Sequence, residues 1–287
     1  MARPAPAALP ARTAVAADPV PFDGSVYLDG VGAFLAGTAN VIMQLALAPV
    51  GHGVVESTVE SGQVTRHPLK RFRTTFTYIS VALLGTDDER ARYREAVNGQ
   101  HRQVRSQPDD PVQYNAFSRD LQLWVAACMY YGAMDLYSKL YGPMPDDQAD
   151  AFYEHAARFG TTLQVPTEMW PADRAAFARY WDEAVTRVAM DEPVREYLHG
   201  LMTRQYMHPA LRGSVRFNTW VTTGFLPQQF RDEMRLPWSA GDQERFERVL
   251  RRLGAVLRRL PPVARRFPFN WLLWDLRVRI RLNRPLV

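Results

Sequence analysis

The chain has 287 residues, 47% of them hydrophobic and 11% aromatic, which suffices for a large core and is too apolar for a disordered chain. Its formal charge of +5 and pI near 9.5 rest on arginine, because Lys70 and Lys139 are the only lysines; a Schiff-base or lysine-base enzyme would have two candidates at most. One cysteine, Cys128, excludes an internal disulfide framework, an iron–sulfur cluster, a cysteine zinc site and covalent Cys-x-x-Cys-His haem attachment.

Residues 1–21 are rich in Ala and Pro and lack a basic stretch followed by an apolar one. They are expected to form a flexible arm, and residues 22–287 a single helical domain. With no secretory pattern and no disulfides, the expected location is cytoplasmic.

From Tyr27 to Leu47 the chain is small and apolar, and Pro49 is expected to stop the helix. Asp29, Asn40, Gln44 and the many Gly and Ala residues argue for a close-packed buried helix rather than a membrane span. Gly51 to His67 reads as a loop, with His52 and His67 solvated. Pro68 opens a second helix, Leu69 to Leu84, closed by Gly85. Arg71, Thr75, Tyr78, Ile79 and Ala82 share its inward face.

In the next helix Tyr93, Val97, His101 and Val104 fall at i, i+4, i+8 and i+11, which sets an imidazole on an apolar face. Such a histidine is either satisfied by a hydrogen bond or binds something, and the spacing leaves both readings open. Ser118 is a fair N-cap for the most apolar helix, Leu121 to Tyr131, which is hydrophobic nearly all round and belongs at the centre of the fold. Further helices are predicted from Pro145 to Phe159, Pro171 to Met190, Pro193 to Gln205, Phe217 to Phe225, Gly241 to Leu260 and Asn270 to Leu282. No alternating strand pattern, hairpin signal or repeat occurs. The fold class is therefore all-α, a multi-helix single domain.

No Gly-x-Gly-x-x-Gly, Walker loop, Gly-x-Ser-x-Gly or His-Glu-x-x-His occurs, so nucleotide binding, α/β-hydrolase and zincin chemistry have no support. His208 sits beside proline in a predicted loop, and His155 on a helix with a charged face. Glu196 and His199 form one Glu-x-x-His, whereas a di-iron bundle needs two such pairs and two further glutamates. The arginines from Arg245 to Arg284 make a basic final third. They read either as a solvated helix face or as a surface for peripheral contact with an anionic membrane or an acidic partner, and Trp271, Leu272 and Trp274 beside Arg277, Arg279 and Arg281 would suit an interfacial anchor. No recognition motif accompanies the charge, so nucleic acid is not expected.

Four pieces of the chain occur together and in order. They are Leu45-Ala-Leu-Ala-Pro-Val-Gly-His-Gly-Val, then Arg71-Phe-Arg-Thr-Thr-Phe-Thr-Tyr78 with Gly85 after it, then Val97-Asn-Gly-Gln-His101-Arg-Gln-Val followed by Tyr114-Asn-Ala-Phe and Leu121-Gln-Leu-Trp124-Val, and last Leu226-Pro-Gln-Gln-Phe-Arg with Leu236-Pro-Trp-Ser. In this, from about Val26 to about Phe267, the chain resembles the bacterial rubber oxygenases (latex clearing proteins) and the related MpaB-type oxygenases.

The resemblance implies a globin-like helical core and a non-covalently held haem b with His101 as axial iron ligand. It implies that Arg71 and Thr75 face the distal side, and that Tyr78, Val97 and Trp124 cover the porphyrin. Thr74 stands where some members carry lysine, so a distal lysine ligand is not expected. Glu56 is the nearest match to an acidic residue that serves as base in some members.

The function so implied is a haem-b-dependent oxygenase that activates dioxygen to oxidise, or cleave at a carbon–carbon double bond, a hydrophobic small molecule. Rubber itself is not expected as substrate without an export signal. Two alternatives belong to other classes: a haem-binding sensor or carrier without turnover, and a non-haem di-iron oxidase built on Glu196 and His199.

Overall fold

The computed structural model describes residues 23–57, 66–204 and 214–287. About 71% of the described residues are helical, and they contain no strand, only one isolated antiparallel bridge between Arg105 and Asn115. The expected arm, Glu60, Gln205 and His208 lie outside the described residues.

The helix α5, Arg119–Tyr141, is the axle of the molecule. Ser118 caps it, its oxygen accepting from the Leu121 amide as the sequence predicts. Two helices lie along it, α1 (Gly30–Leu45) and α12 (Ala240–Leu257). Both approach closely because small residues stand at the crossings. A Cβ on Gly132 would meet the Asn40 amide at 2.2 Å, and one on Gly254 would meet the Leu140 carbonyl oxygen at 1.9 Å. The Asn40 amide donates to the Cys128 carbonyl at 2.7 Å, and the Trp124 indole N–H to the Gln44 carbonyl at 3.0 Å. These bonds satisfy the polar groups that such close packing buries.

After α1 the chain bends by 109° into α2, Ala48–Val55, a helix where the sequence predicts a loop. Pro49 does not stop α1, which ends earlier; it stands in the first turn of α2, where its missing N–H costs nothing. Among the described residues no single helix is long and apolar enough to cross a membrane.

Next come α3, Pro68–Leu84, and α4, Asp87–His101. Thr86 and Glu89 form the capping box that starts α4, worth about 1 kcal/mol. Two short helices, α6 (Asp146–Ala156) and α7 (Arg158–Thr161), replace the single one predicted to Phe159. The predicted helix from Pro171 begins later, as α8, Arg174–Val185, because Asp173 rather than the proline provides the cap. Then follow α9 (Glu192–Met202), α10 (Val215–Phe225), the unpredicted α11 (Gln228–Glu233), α12, the short α13 (Pro262–Arg265) and α14 (Phe269–Arg281). Helix α14 returns across α3, stacking Phe269 on Phe76 at 5.3 Å and pairing Arg277 with Glu89 at 2.7 Å.

Candidate cofactor and active site

Helices α1 to α5 and α9 enclose a cavity of about 800 Å³, within the ~300–1,000 Å³ of small-molecule sites. Its wall is mostly aliphatic and aromatic: Phe34 and Val41 from α1, Phe72 and Ile79 from α3, and Val125 and Met129 from α5. Polar residues stand among them, chiefly Thr38, Asn40 and Gln44 of α1, Arg71, Thr74 and Thr75 of α3, and Gln100 and His101 of α4.

His101 is the last residue of α4 and lines this cavity. The helix ends there, so Val104, predicted on the same helical face, reaches the wall from the following turn. The His101 Nδ1 is buried and has no hydrogen-bond partner among the described residues. Among the described residues its close ring neighbour is Phe117, edge-on at 6.2 Å. Burial, with the nearby Arg71 charge adding to it, pulls the His101 pKa down to about 4, so the imidazole is neutral at physiological pH. The carboxylate or carbonyl that usually accepts from the far nitrogen of a metal-binding histidine is not present among the described residues.

Arg71 lines the same cavity. Its side chain keeps accessible surface, yet protein surrounds it, so that surface belongs to the cavity and not to the outside. Burial pulls its pKa below the usual arginine value; Tyr197 and Tyr93, not a carboxylate, are the groups that favour its charge. The guanidinium stays protonated all the same. An arginine that meets no carboxylate among the described residues and faces a mostly apolar cavity is a site for a negative or electron-rich group. Thr75, one turn on, also lines the cavity, as do Tyr78 and Val97. The Tyr78 hydroxyl donates to the Phe159 carbonyl at 2.5 Å, and Tyr93 to the Thr74 carbonyl at 2.7 Å. Burial raises both phenol pKa values, so both stay neutral.

The structure thus brings His101, Arg71, Thr75, Tyr78 and Val97 together. It does not bring Trp124, which is absent from the cavity wall and stacks on Trp181 at 5.5 Å in the aromatic core. The apolar run that contains Trp124 turns one face to the cavity, with Val125 and Met129, and the tryptophan to the other side.

Glu56 lies beyond the wall as well. Its carboxylate accepts from His52 Nδ1 at 2.5 Å; Tyr114, whose pKa burial and the neighbouring Glu56 raise, itself lines the cavity. His52 is not the solvated loop residue the sequence suggests. It is buried in α2, 7% exposed, and its Nε2 binds Asp191 at 2.7 Å. Burial opposes its charge, but the two carboxylates outweigh that and hold its pKa above the ordinary value. His67, by contrast, is exposed, as predicted.

Sequence reasoning missed the network that fixes α4. Asn98, one turn before His101, accepts from the Gln164 amide at 2.7 Å, and Gln122 of α5 donates to Gln164 at 2.6 Å. Asn98 stands in the segment singled out for His101, but nothing in the sequence marks Gln164 as its partner. The lone Glu196–His199 pair forms no centre: His199 donates to the Met234 carbonyl at 3.0 Å, and no group of three or more metal-type side chains exists among the described residues.

The features of the site suit a haem. It would need a neutral imidazole and a large, mostly apolar chamber, and His101 and its cavity supply both.

Residues 24–259 match the family model described as the catalytic domain of the ER-bound oxygenase mpaB/B' and rubber oxygenase. An uncharacterized protein of Mycobacterium tuberculosis (strain ATCC 25618 / H37Rv) is 50% identical over 250 residues, covering 87% of this chain and 98% of its own. An uncharacterized protein of Mycobacterium bovis (strain ATCC BAA-935 / AF2122/97) matches to the same extent. No solved structure gives a significant match.

Proposed function

Because the chain belongs to this family of mpaB-type and rubber oxygenases, we propose that it is a haem-b-dependent oxygenase acting on a hydrophobic small molecule. The observation that carries the reading is the neutral His101, its Nδ1 without a partner among the described residues, beside an Arg71 that meets no carboxylate among them, in a mostly apolar cavity. His101 would ligate the iron, and Tyr78 and Val97 would pack against the macrocycle. Bound haem would supply the dioxygen chemistry.

The chain's own residues would do the rest. The Arg71 guanidinium donates hydrogen bonds and brings a fixed positive charge to any oxygen that gains electron density, where the dry wall strengthens the attraction. Thr75 adds a hydroxyl donor from the same helix face. Val41, Val125 and Met129 hold an apolar substrate and exclude water. Glu56 reaches the cavity through Tyr114, so a proton taken by Glu56 would pass by that hydroxyl. A carbon–carbon double bond is the expected point of attack, and a lipid or terpenoid the expected substrate class.

The test is the absorption spectrum of the purified full-length protein. An intense Soret band, retained through gel filtration, is expected. A colourless preparation that refuses added hemin overturns the reading. A dioxygen-uptake assay with candidate alkenes then separates an oxygenase from a haem carrier.

A further inference from the structure

Of the twelve exposed large hydrophobic side chains among the described residues, eight lie between Val249 and Leu282. They are not scattered singly, as surface apolar residues usually are. On α12, Val249 and Val256 lie on one outer stripe that Leu260 continues in the turn after it, and Arg248 and Arg252 of the helix and Arg259 of that turn flank it, all exposed. Val263, 70% exposed, and Phe267 continue it through α13. The Asn270 amide donates to the Val263 carbonyl at 3.0 Å, which folds α13 against the start of α14. There Trp271 and Trp274, 49% and 59% exposed, share a face with Arg277 and Arg281.

The charge of this region is as lopsided as its apolarity. From Arg245 to the last residue it holds twelve arginines against Glu247 and Asp275, while the rest of the chain is net acidic. Both carboxylates are engaged, Glu247 with Arg251 and Asp275 with Arg279, and Arg277 reaches Glu89. Arg248, Arg252, Arg259 and Arg281 make no ion pair among the described residues.

We propose that the outer face of α12, α13 and α14 docks on an anionic lipid bilayer. Tryptophan suits the headgroup level, where its ring is half in apolar surroundings, and flanking arginines suit anionic headgroups. A face that alternates apolar and cationic side chains, with the exposed Glu244 only at its start, complements that surface better than it does a second copy of itself, which would oppose arginine to arginine. The face also adjoins the cavity. Gly30 lies directly against the Phe267 backbone, where a Cβ would meet its carbonyl oxygen at 1.6 Å, and one turn along α1 stands Phe34. Phe34 and Leu69 are the exposed large hydrophobics of the cavity wall, so an apolar compound leaving the bilayer would meet the cavity at this edge. That route rests on the proposed oxygenase reading; the docking itself does not.

The experiment is co-sedimentation of the full chain with phosphatidylcholine vesicles and with vesicles half phosphatidylglycerol. Strong binding to the mixed vesicles alone, falling with added salt, is expected. The variant Trp271→Ser/Trp274→Ser should fold, since both rings are exposed, and should lose about tenfold in partitioning. The variant Arg252→Glu/Arg259→Glu should lose about fivefold or more per arginine. Absence of binding to the mixed vesicles at low salt overturns the proposal. So does binding indifferent to both variants, or a stable dimer in gel filtration that Trp271→Ser/Trp274→Ser splits. Binding by a haem-free preparation would sustain the docking surface while the oxygenase reading failed.

Discussion

Two histidines, His52 buried and His101 half-buried, sit a few helices apart and have opposite surroundings. His52 has a carboxylate on each ring nitrogen, and its pKa is raised. His101 has a buried nitrogen with no partner and an arginine for a neighbour, and its pKa is lowered to about 4. The first ties α2 to Asp191, the N-cap of α9, and both of its nitrogens are engaged. The second is a neutral donor left available. Apolar surroundings alone do not separate a core histidine from a ligand; what the two nitrogens touch does.

That contrast can be broken in steps of decreasing size. His101→Ala should give protein almost free of haem, read from the ratio of Soret to protein absorbance; full occupancy would remove His101 as ligand. Arg71→Ala should keep the haem and lose about 10²–10³-fold in turnover, the usual loss for one buried electrostatic donor. Unchanged turnover would take Arg71 out of the chemistry.

The pH response separates the two rings by sign. His101 is depressed from 6.5 to about 4, so in haem-free protein its contribution is whole above about pH 6.5 and is lost as pH falls towards 4, by up to about 3 kcal/mol. His52 is raised, so its contribution is whole below about pH 6.5 and is lost as pH rises through its folded value. Chemical denaturation across this range should lose its acid-side slope in His101→Ala and its alkaline-side slope in His52→Gln. His52→Ala should cost about 2 kcal/mol, less than a fully buried ion pair, because Glu56 and Asp191 are each partly in water. Smallest of all, Cys128→Ser should leave the spectrum unmoved, since the buried thiol is held neutral and lies off the cavity wall. A shifted Soret band there would point to thiolate ligation.

Much of this contrast was legible beforehand, and unevenly. Helical spacing puts Arg71, Thr75 and Tyr78 on one face of α3 and His101 with Val97 on one face of α4, and those faces do meet at the cavity. Period and capping are local, so they survive into the fold. Trp124 was misplaced because a helix that is apolar all round gives no sign of which face meets a cavity and which a core. His52 was misread because its second carboxylate, Asp191, stands 139 residues away, and glycines on either side suggested a loop. The Asn98–Gln164–Gln122 amides were invisible for the same reason: each partner is set by tertiary packing.

The similarity to known oxygenases stops at residue 259, but the folding unit does not. Phe269 stacks on Phe76 and forms part of the cavity wall, and Leu272 and Leu276 of α14 are wholly interior. Cutting the gene at the boundary that homology suggests would therefore unroof the chamber and strip α3 of its cover. Anyone dissecting this protein should keep the final 28 residues, for they are masonry rather than tail.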